Sequence, residues 1–175
     1  MDESDLDYVG YWTEIKLKIL REYAAAYALI LKNQSIIKHV AYIDGFAGAG
    51  THVSKATHEE IEGSPAIALR YHFNHYHFVD LDGKRIQRLK QLAAGKTNVS
   101  VYQEDCNKVL LKKIFPTCRY EDYCRALCLL DPYKLNPRWE VVQTAGTMRS
   151  IEIFLNFMIM DANMNAFLTN PDKVT

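Results

Sequence analysis

The sequence predicts an α/β fold, a mostly parallel sheet with helices on both faces. Short apolar segments typical of strands alternate along the chain with segments whose apolar residues recur at helical spacing. Strands that alternate with helices in this way form parallel βαβ units with right-handed crossovers. Five strands are predicted, at residues 39–44, 77–81, 99–102, 126–130 and 151–156.

Oxygen-bearing side chains stand near the carboxyl end of every predicted strand. Four strands end at or beside such a residue, and the third is followed at once by Glu104 and Asp105. Because the carboxyl ends of parallel strands share one edge of a sheet, these side chains should lie along a common rim. We therefore expect a ligand site at that edge. The four residues at the other strand ends are Asp44, Asp80, Asp131 and Asn156.

Composition narrows the class of protein. The chain of 175 residues is long enough for one domain with a sizeable core. Its 21 basic and 21 acidic residues cancel, which gives no overall attraction to nucleic acid, although a local basic patch would suffice. No apolar run is long enough to span a membrane, and the acidic start is unlike a secretory leader. We expect a cytoplasmic protein.

Cysteine and histidine residues do not predict a metal site. None of the four cysteines belongs to a Cys-x-x-Cys pair, so reduced thiols are expected rather than disulfides or zinc ligands. His72, His75 and His77 span a helix end, a turn and a strand, so their rings need not converge. Basic residues at 84–90 and 108–113 are interpreted as solvated helix faces, with a phosphate-binding patch as the alternative.

We predict a single domain over residues 1–175. A flexible arm is expected at 1–11 and a helix at 12–33, where apolar residues recur at helical spacing. The α/β core is expected at 39–156. An irregular tail at 161–175 follows, and the sequence reads as a truncated copy or as a fragment of a larger protein.

Local signals mark the ends of the core helices. Ser64 is expected as the N-cap of a helix that has Pro65 in its first turn. Asp82 is expected to cap the next helix, and Gly95 stands where a C-terminal cap glycine belongs. The core helices are predicted at residues 65–73, 84–94, 108–114 and 136–147.

A glycine-rich turn follows the first core strand. Its glycines, Gly45, Gly48 and Gly50, do not follow the dinucleotide order G-x-G-x-x-G, and no Gly-Lys-Ser/Thr of a P-loop is present. A nucleoside without phosphates fits better, since Asp80 could accept hydrogen bonds from ribose hydroxyls and Asp105 from an adenine amine. S-adenosylmethionine has these groups, and acidic walls would favour its sulfonium charge.

Four segments carry a resemblance to a known family. Residues 42–50, 63–65, 129–133 and 154–157 together resemble the three-Cys-motif partner protein family, over roughly residues 12–160. That family looks like a branch of the class I S-adenosylmethionine-dependent methyltransferases. The resemblance implies a Rossmann-like class I methyltransferase sandwich with strand order 3-2-1-4-5, and S-adenosylmethionine as the cofactor.

The resemblance also implies a cofactor site. Asp44 and the three glycines of the turn would surround the methionine part, with Asp80 on the ribose and Asp105 on the adenine. The implied cofactor-binding residues are Asp44, Gly45, Phe46, Gly48, Gly50, Asp80, Asp105 and Cys106. Asp80 and Asp105 have an alternative interpretation as helix caps, and a carboxylate can serve both purposes.

Asp131, Pro132 and Tyr133 are similar to the Asp-Pro-Pro-Tyr motif of methyltransferases that act on amino groups of nucleic-acid bases. In that motif the acid and a proline carbonyl accept hydrogen bonds from the target amine, and the aromatic ring stacks on the base. The similarity implies that these three residues are catalytic and that a nucleic acid is the substrate. A turn in which Pro132 merely ends a strand is the alternative.

Two departures favour a second function. Only one proline separates Asp131 from the aromatic residue, and the terminal antiparallel hairpin of class I methyltransferases is expected to be missing. Without that hairpin the fifth strand would be an exposed edge. A non-catalytic or cofactor-binding module that works with a protein partner is therefore the alternative to an enzyme.

Overall fold

The computed structural model describes residues 7–133, 136–157 and 159. In chain order its strands and helices are β1 (Tyr8–Val9), α1 (Tyr11–Lys32), β2 (His39–Asp44), β3 (Thr51–Ser54), β4 (Glu60–Glu62), α2 (Ser64–Ala68), β5 (His75–Asp80), α3 (Gly83–Leu92), β6 (Val99–Gln103), α4 (Cys106–Val109), β7 (Cys124–Leu130), α5 (Trp139–Met148) and β8 (Ile151–Leu155). None of the described helices is long and apolar enough to cross a membrane.

The main sheet confirms the predicted fold class. Its order is β6-β5-β2-β7-β8, and every neighbouring pair is parallel. These are the five predicted strands in the order 3-2-1-4-5. The central strand β2 pairs with β5 and β7, so that Asp44 lies opposite Phe78 on one side and Leu129 on the other. The carboxyl ends of three adjacent strands are thereby aligned.

Helices cover both faces of this sheet. On one face, Tyr42 and Phe78 pack in a buried cluster with Leu20 of α1 and Leu89 of α3. On the other face, Ile43 packs with residues of the α4 region and α5 in a second buried cluster, which includes Ile114, Phe115, Cys128 and Val141. Because β2 and β7 are buried on both faces, they require the nearly continuous apolar runs seen in the sequence.

A second, small sheet was not predicted. β3 and β4 form an antiparallel hairpin, and β1 pairs in parallel with β3, with Tyr8 opposite Val53. Between β3 and β4, the Ser54 hydroxyl accepts hydrogen bonds from the Ala56 and Thr57 N–H groups and stabilises the turn. The arm expected at 1–11 is corrected in its described part, because Tyr8 and Val9 belong to this sheet.

Some helix ends differ from the prediction. Gly63, not Ser64, is the N-cap of α2. That helix ends at Ala68 because the following N–H groups of Arg70 and Tyr71 bond three residues back, which tightens the turn. Asp82 caps α3 as predicted, accepting hydrogen bonds from Lys84 N and Arg85 N at 2.9 and 3.0 Å.

The helices on either side of β7 are also shifted. α4 begins at Cys106, two residues earlier than predicted, because Asp105 caps it, and it continues through a π-helical turn over Leu110–Ile114. α5 begins at Trp139 rather than at Asn136. The tail expected at 161–175 lies outside the described residues, and so does most of the region after β8 where a terminal hairpin would stand.

Candidate functional site

A cavity of about 680 Å³ lies at the carboxyl edge of the main sheet. Its wall includes residues of the glycine turn, of the segment that follows β7, of β1 and of α1. Two of the predicted residues, Asp44 and Gly50, are not part of its wall. Nine of the predicted residues line it: Gly45, Phe46, Gly48, Asp80, Asp105, Cys106, Asp131, Pro132 and Tyr133.

Backbone hydrogen bonds tie the glycine turn to both neighbouring strands. Gly45 N donates to the Leu129 carbonyl at 3.0 Å, and Ala47 N donates to the Val79 carbonyl at 2.9 Å. A Cβ on Gly45 would lie 2.8 Å from both Cys106 Sγ and a Leu130 methyl group. Close packing of the protein itself therefore favours glycine at position 45.

Gly48 differs from Gly45 because it faces open space. It has φ of +63°, a conformation that glycine adopts without strain. Among the described residues, the only atom that a Cβ at this position would meet within 4 Å is His52 Cε1, at 4.0 Å. Its N–H donates to Asp80 Oδ2 at 2.9 Å. The turn thus presents a bare backbone to the cavity at this position. A flat ligand could lie against it without meeting a side chain.

Asp44 lies behind the turn and is fully buried. Its Oδ1 accepts a hydrogen bond from Phe46 N at 3.2 Å, and its Oδ2 has no hydrogen-bond partner among the described residues. Burial raises the pKa of this carboxyl to about 7. The nearby Ser64 hydroxyl and the Phe46 N–H oppose that change, and the charges of Asp131 and Asp80 add to it. Asp44 is an acid whose second oxygen is left unsatisfied.

Asp80 links the glycine turn to the residues before α3 through hydrogen bonds to its carboxylate. Its Oδ1 accepts from Asp82 N at 2.8 Å and its Oδ2 from Gly48 N, while Arg85 Nη1 lies 3.8 Å from Oδ2. The cap of α3 is Asp82, so the alternative interpretation of Asp80 as that cap is wrong. Each carboxylate oxygen has more than one acceptor site, so Asp80 can also receive hydrogen bonds from a ligand.

Asp105 and Cys106 contribute a further part of the cavity wall. Asp105 Oδ1 accepts from Lys108 N at 3.0 Å, so this acid both caps α4 and lines the cavity. Burial, followed by the charges of Asp105 and Asp44, raises the pKa of the Cys106 thiol to about 12. Cys106 is therefore a neutral thiol near pH 7 and not a nucleophile.

Asp131 is held by two side chains from distant parts of the chain. Lys16 Nζ of α1 donates to its Oδ1 and Oδ2 at 2.9 and 2.8 Å. Asn156, just after β8, donates from Nδ2 to Oδ1 at 2.6 Å. Lys16 and Asp131 are each about one third exposed, with side-chain values of 35% and 33%, so the ion pair is open to exchange with solvent or ligand.

Tyr133 belongs to a second cluster over the cavity. Its hydroxyl donates to Asp7 Oδ2 at 3.2 Å, and Arg85 Nη2 donates to the same hydroxyl at 3.3 Å and to Asp7 at 2.9 Å. The Arg85 guanidinium carbon lies 5.4 Å from the centre of the Tyr133 ring. The segment that contains Asp7, β1 and the first turns of α1 therefore crosses the side of the cavity formed by Asp131 and Tyr133.

Sequence reasoning missed Asp7, Lys16, His52 and Arg85 as cavity residues. Lys16 and Asp131 are 115 positions apart, and Asp7 and Tyr133 are 126 apart. No local pattern could have paired them. Asn156 was noted as a strand-terminal side chain, and its contact with Asp131 is the kind of meeting at one edge that parallel strands produce.

His75 and His77, which were considered as metal ligands, are not among the residues that line this cavity. The rings of His75 and His77 are 4.4 Å apart, and they line a smaller cavity of about 330 Å³ with Cys118 and Cys124. His75 Nε2 pairs with the Ser100 hydroxyl and His77 Nδ1 with the Tyr102 hydroxyl. Burial, and secondarily the charge of His75, lowers the pKa of His77 to about 3. His77 is therefore a neutral, hydrogen-bonded core residue.

The five-stranded parallel sheet, its order and its flanking helices define a methyltransferase-like α/β fold. The structure is similar to that of protein LPL1258 from Legionella pneumophila, described under DUF519, with a TM-score of 0.58 and 13% sequence identity. That match covers 79% of this chain and 67% of the other. It is also similar to "Putative methyltransferase yhhF" of Escherichia coli, with a TM-score of 0.50 and 15% identity over 78% of this chain and 65% of that one.

At these identities the likeness concerns the fold alone. The chain spans about two thirds of the length of both structures. No family model matches the sequence, and no curated protein matches it. The resemblance to the three-Cys-motif partner family therefore rests on the sequence motifs, while the methyltransferase-like fold is supported independently by the likeness to the yhhF structure.

Proposed function

We propose that this protein binds S-adenosylmethionine in the cavity and transfers its methyl group to an amino nitrogen of a nucleic-acid base. The observation that carries the proposal is the meeting of the glycine turn, Asp80, Asp105 and Asp131 around a single space of about 680 Å³. That volume lies within the roughly 300–1,000 Å³ typical of small-molecule sites. On this proposal the protein acts in the cytoplasm.

The residues present fit the cofactor. Asp80 and Asp105 retain acceptor capacity for ribose hydroxyls and an adenine amine, and the bare backbone at Gly48 leaves room for a ligand. The fully buried Asp44, with one oxygen unsatisfied, adds negative potential behind the turn once it is ionised, which favours a sulfonium. When bound, the cofactor supplies an already activated methyl group.

The protein's contribution would be to position the amine. Asp131 and the Pro132 carbonyl would accept hydrogen bonds from the amine and direct its lone pair into the cavity. Asn156 fixes the orientation of the Asp131 carboxylate, and Tyr133 offers a ring for stacking. Holding the two reactants in line accounts for most of the rate gain in a transfer of this kind.

The ion pair between Lys16 and Asp131 supports a second candidate function. Lys16 already donates to both carboxylate oxygens, so an incoming amine would have to compete with the lysine ammonium at this carboxylate. If the pair stays intact, the fold would bind the cofactor without transferring its methyl group, and would serve a protein partner. Such a role would agree with the resemblance to the three-Cys-motif partner family.

Transfer of a labelled methyl group separates the two candidates. The protein would be incubated with labelled S-adenosylmethionine and single-stranded oligonucleotides that contain adenine or cytosine, with inosine and uridine versions as acceptors that lack the amine. The enzyme proposal predicts label only on the amine-containing strands. Asp131→Asn should lower that transfer by about a hundredfold or more, as loss of one positioned polar group at a reaction centre does.

Asp122→Asn is the matched control, because Asp122 is an exposed acid just before the opposite end of β7. It should transfer as the parent does. Cofactor binding without transfer to any of the four strands would favour the partner module. Equal transfer by Asp131→Asn and the parent would remove the catalytic role of Asp131.

A further inference from the structure

Lys16 occupies the place that the proposed function assigns to the acceptor amine. Its Nζ lies 2.9 and 2.8 Å from the two oxygens of Asp131, the carboxylate that would receive the amine hydrogens. Among the described residues that line the cavity, Lys16 is the only lysine. It shares that cavity with Gly45, Phe46 and Gly48, the turn on which the methyl donor would lie.

Both partners of the contact between Lys16 and Asp131 are held in place by other parts of the fold. Asn156 holds Asp131 Oδ1 at 2.6 Å from the side of β8, so the carboxylate cannot turn away from α1 without losing that bond. α1 is a helix of 22 residues whose inner face, including Leu20 and Ala24, is buried against the sheet. The Lys16 amine is therefore delivered to the cavity by a rigid element, which gives it a high effective concentration there.

We propose that Lys16 is itself a methylation site, modified within the same molecule from S-adenosylmethionine bound in the cavity. This inference rests on the proposed function for its cofactor, but not on any external acceptor. The modification would also weaken the hydrogen bonding between Lys16 and Asp131, because each methyl group replaces one N–H donor of the lysine.

The transfer balances with the cofactor as the only co-reactant. The neutral amine nitrogen of Lys16 donates its lone pair to the methyl carbon, a C–N bond forms, and the sulfonium C–S bond breaks. The products are S-adenosylhomocysteine and N-methyl-lysine, and the proton that leaves the ammonium beforehand goes to solvent through the exposed third of the side chain.

The proposal is tested by incubating the full chain with S-adenosylmethionine that carries a deuterated methyl group and locating the label by tandem mass spectrometry. We expect label on Lys16, and a rate per molecule that is unchanged on dilution because the reaction is intramolecular. Lys16→Arg keeps a positive charge beside Asp131 but removes the nucleophilic amine, and should abolish the label.

Lys18→Arg is the matched control. Lys18 is on the same helix, two positions further on, and does not line the cavity. It should leave the labelling of Lys16 unchanged. Cofactor binding, measured by calorimetry on the same sample, distinguishes failure of this inference from failure of the proposed function.

Each possible result tells whether this inference or the proposed function has failed. Binding of the cofactor with no label on Lys16 at any pH would overturn the inference and leave the proposed cofactor site intact. Label spread equally over Lys16 and Lys18, or a rate that rises with protein concentration, would also overturn it. No binding of the cofactor at all would overturn the proposed function, and the inference with it.

Discussion

Replacement of Asp44 by asparagine should change how stability depends on pH. The Asp44 carboxyl is fully buried, and burial raises its pKa from 3.8 to about 7. The folded protein therefore holds this proton more tightly than the unfolded chain does. Between about pH 4 and pH 7 the unfolded chain has lost the proton and the folded protein has not, so raising the pH favours unfolding over this range.

The size of this change in stability follows from how far the pKa of Asp44 is raised. A difference of about three pK units, at about 1.4 kcal/mol each, amounts to about 4 kcal/mol of unfolding free energy lost from the acidic to the neutral end of this range. An asparagine amide cannot ionise, so the Asp44→Asn variant should lack this decline. Its absolute stability can differ from the parent for other reasons, but the difference between the two proteins should change with pH.

The assay is urea unfolding followed by circular dichroism across this pH range, with both proteins analysed as two-state systems. Asp82→Asn serves as the control, because it should show no such pH dependence in this range. The Arg85 N–H, and then the Lys84 N–H, lower the pKa of the exposed Asp82 below its ordinary value of 3.8, so its contribution to stability is present throughout this range and is lost only at lower pH. If the unfolding free energies of the parent and Asp44→Asn changed in parallel with pH, the claim that Asp44 is a buried acid with a raised pKa would be refuted.

Three further substitutions test the site. Gly45→Ala should destabilise the protein by about 1–3 kcal/mol in urea unfolding, because the new Cβ would lie 2.8 Å from Cys106 Sγ. The control, Gly146→Ala in open space on α5, should stabilise the protein by up to about 1 kcal/mol, and equal effects of the two substitutions would contradict the packing argument. Asp80→Ala removes the acceptor of Gly48 N and should weaken S-adenosylmethionine binding by about tenfold, or ~1.4 kcal/mol, in titration calorimetry; unchanged affinity would remove Asp80 from the site. Tyr133→Phe keeps the ring but removes the hydroxyl that is hydrogen-bonded to Asp7 and Arg85. Because the ring is then no longer held by those bonds, the KM for an external acceptor should fall while cofactor affinity stays the same; a raised KM would show that the hydroxyl helps to bind the acceptor.

The main sheet was accessible from the sequence because its signals are local. An unbroken apolar run such as 126–130 marks a strand buried on both faces, and Asp82 marks a helix start by its position before a periodic segment. The strand order came from the resemblance, and the structure confirms it. The gathering of Asp80, Asp105 and Asp131 around one cavity follows from parallel strands that share a carboxyl edge.

The remaining features depend on contacts between distant residues. β1 pairs with β3 through backbone hydrogen bonds such as that from Val53 N to the Asp7 carbonyl, and these bonds leave almost no trace in the side-chain pattern of such short strands. Lys16 has an ordinary place on an amphipathic helix, and only the folded chain brings it to Asp131. Gly45 was attributed to ligand approach, but the structure adds a steric demand from Cys106 and Leu130, which belong to two different parts of the sheet edge.

Calorimetric titration of the protein with S-adenosylmethionine tests the central claim most directly, since the claim is that the carboxyl edge of this sheet is a nucleoside site. We predict saturable binding with one cofactor per chain, which S-adenosylhomocysteine competes for and Asp80→Ala weakens. Absence of any heat of binding at millimolar cofactor would contradict the claim, and binding that Asp80→Ala and Asp105→Ala both leave unchanged would show that the cofactor lies elsewhere.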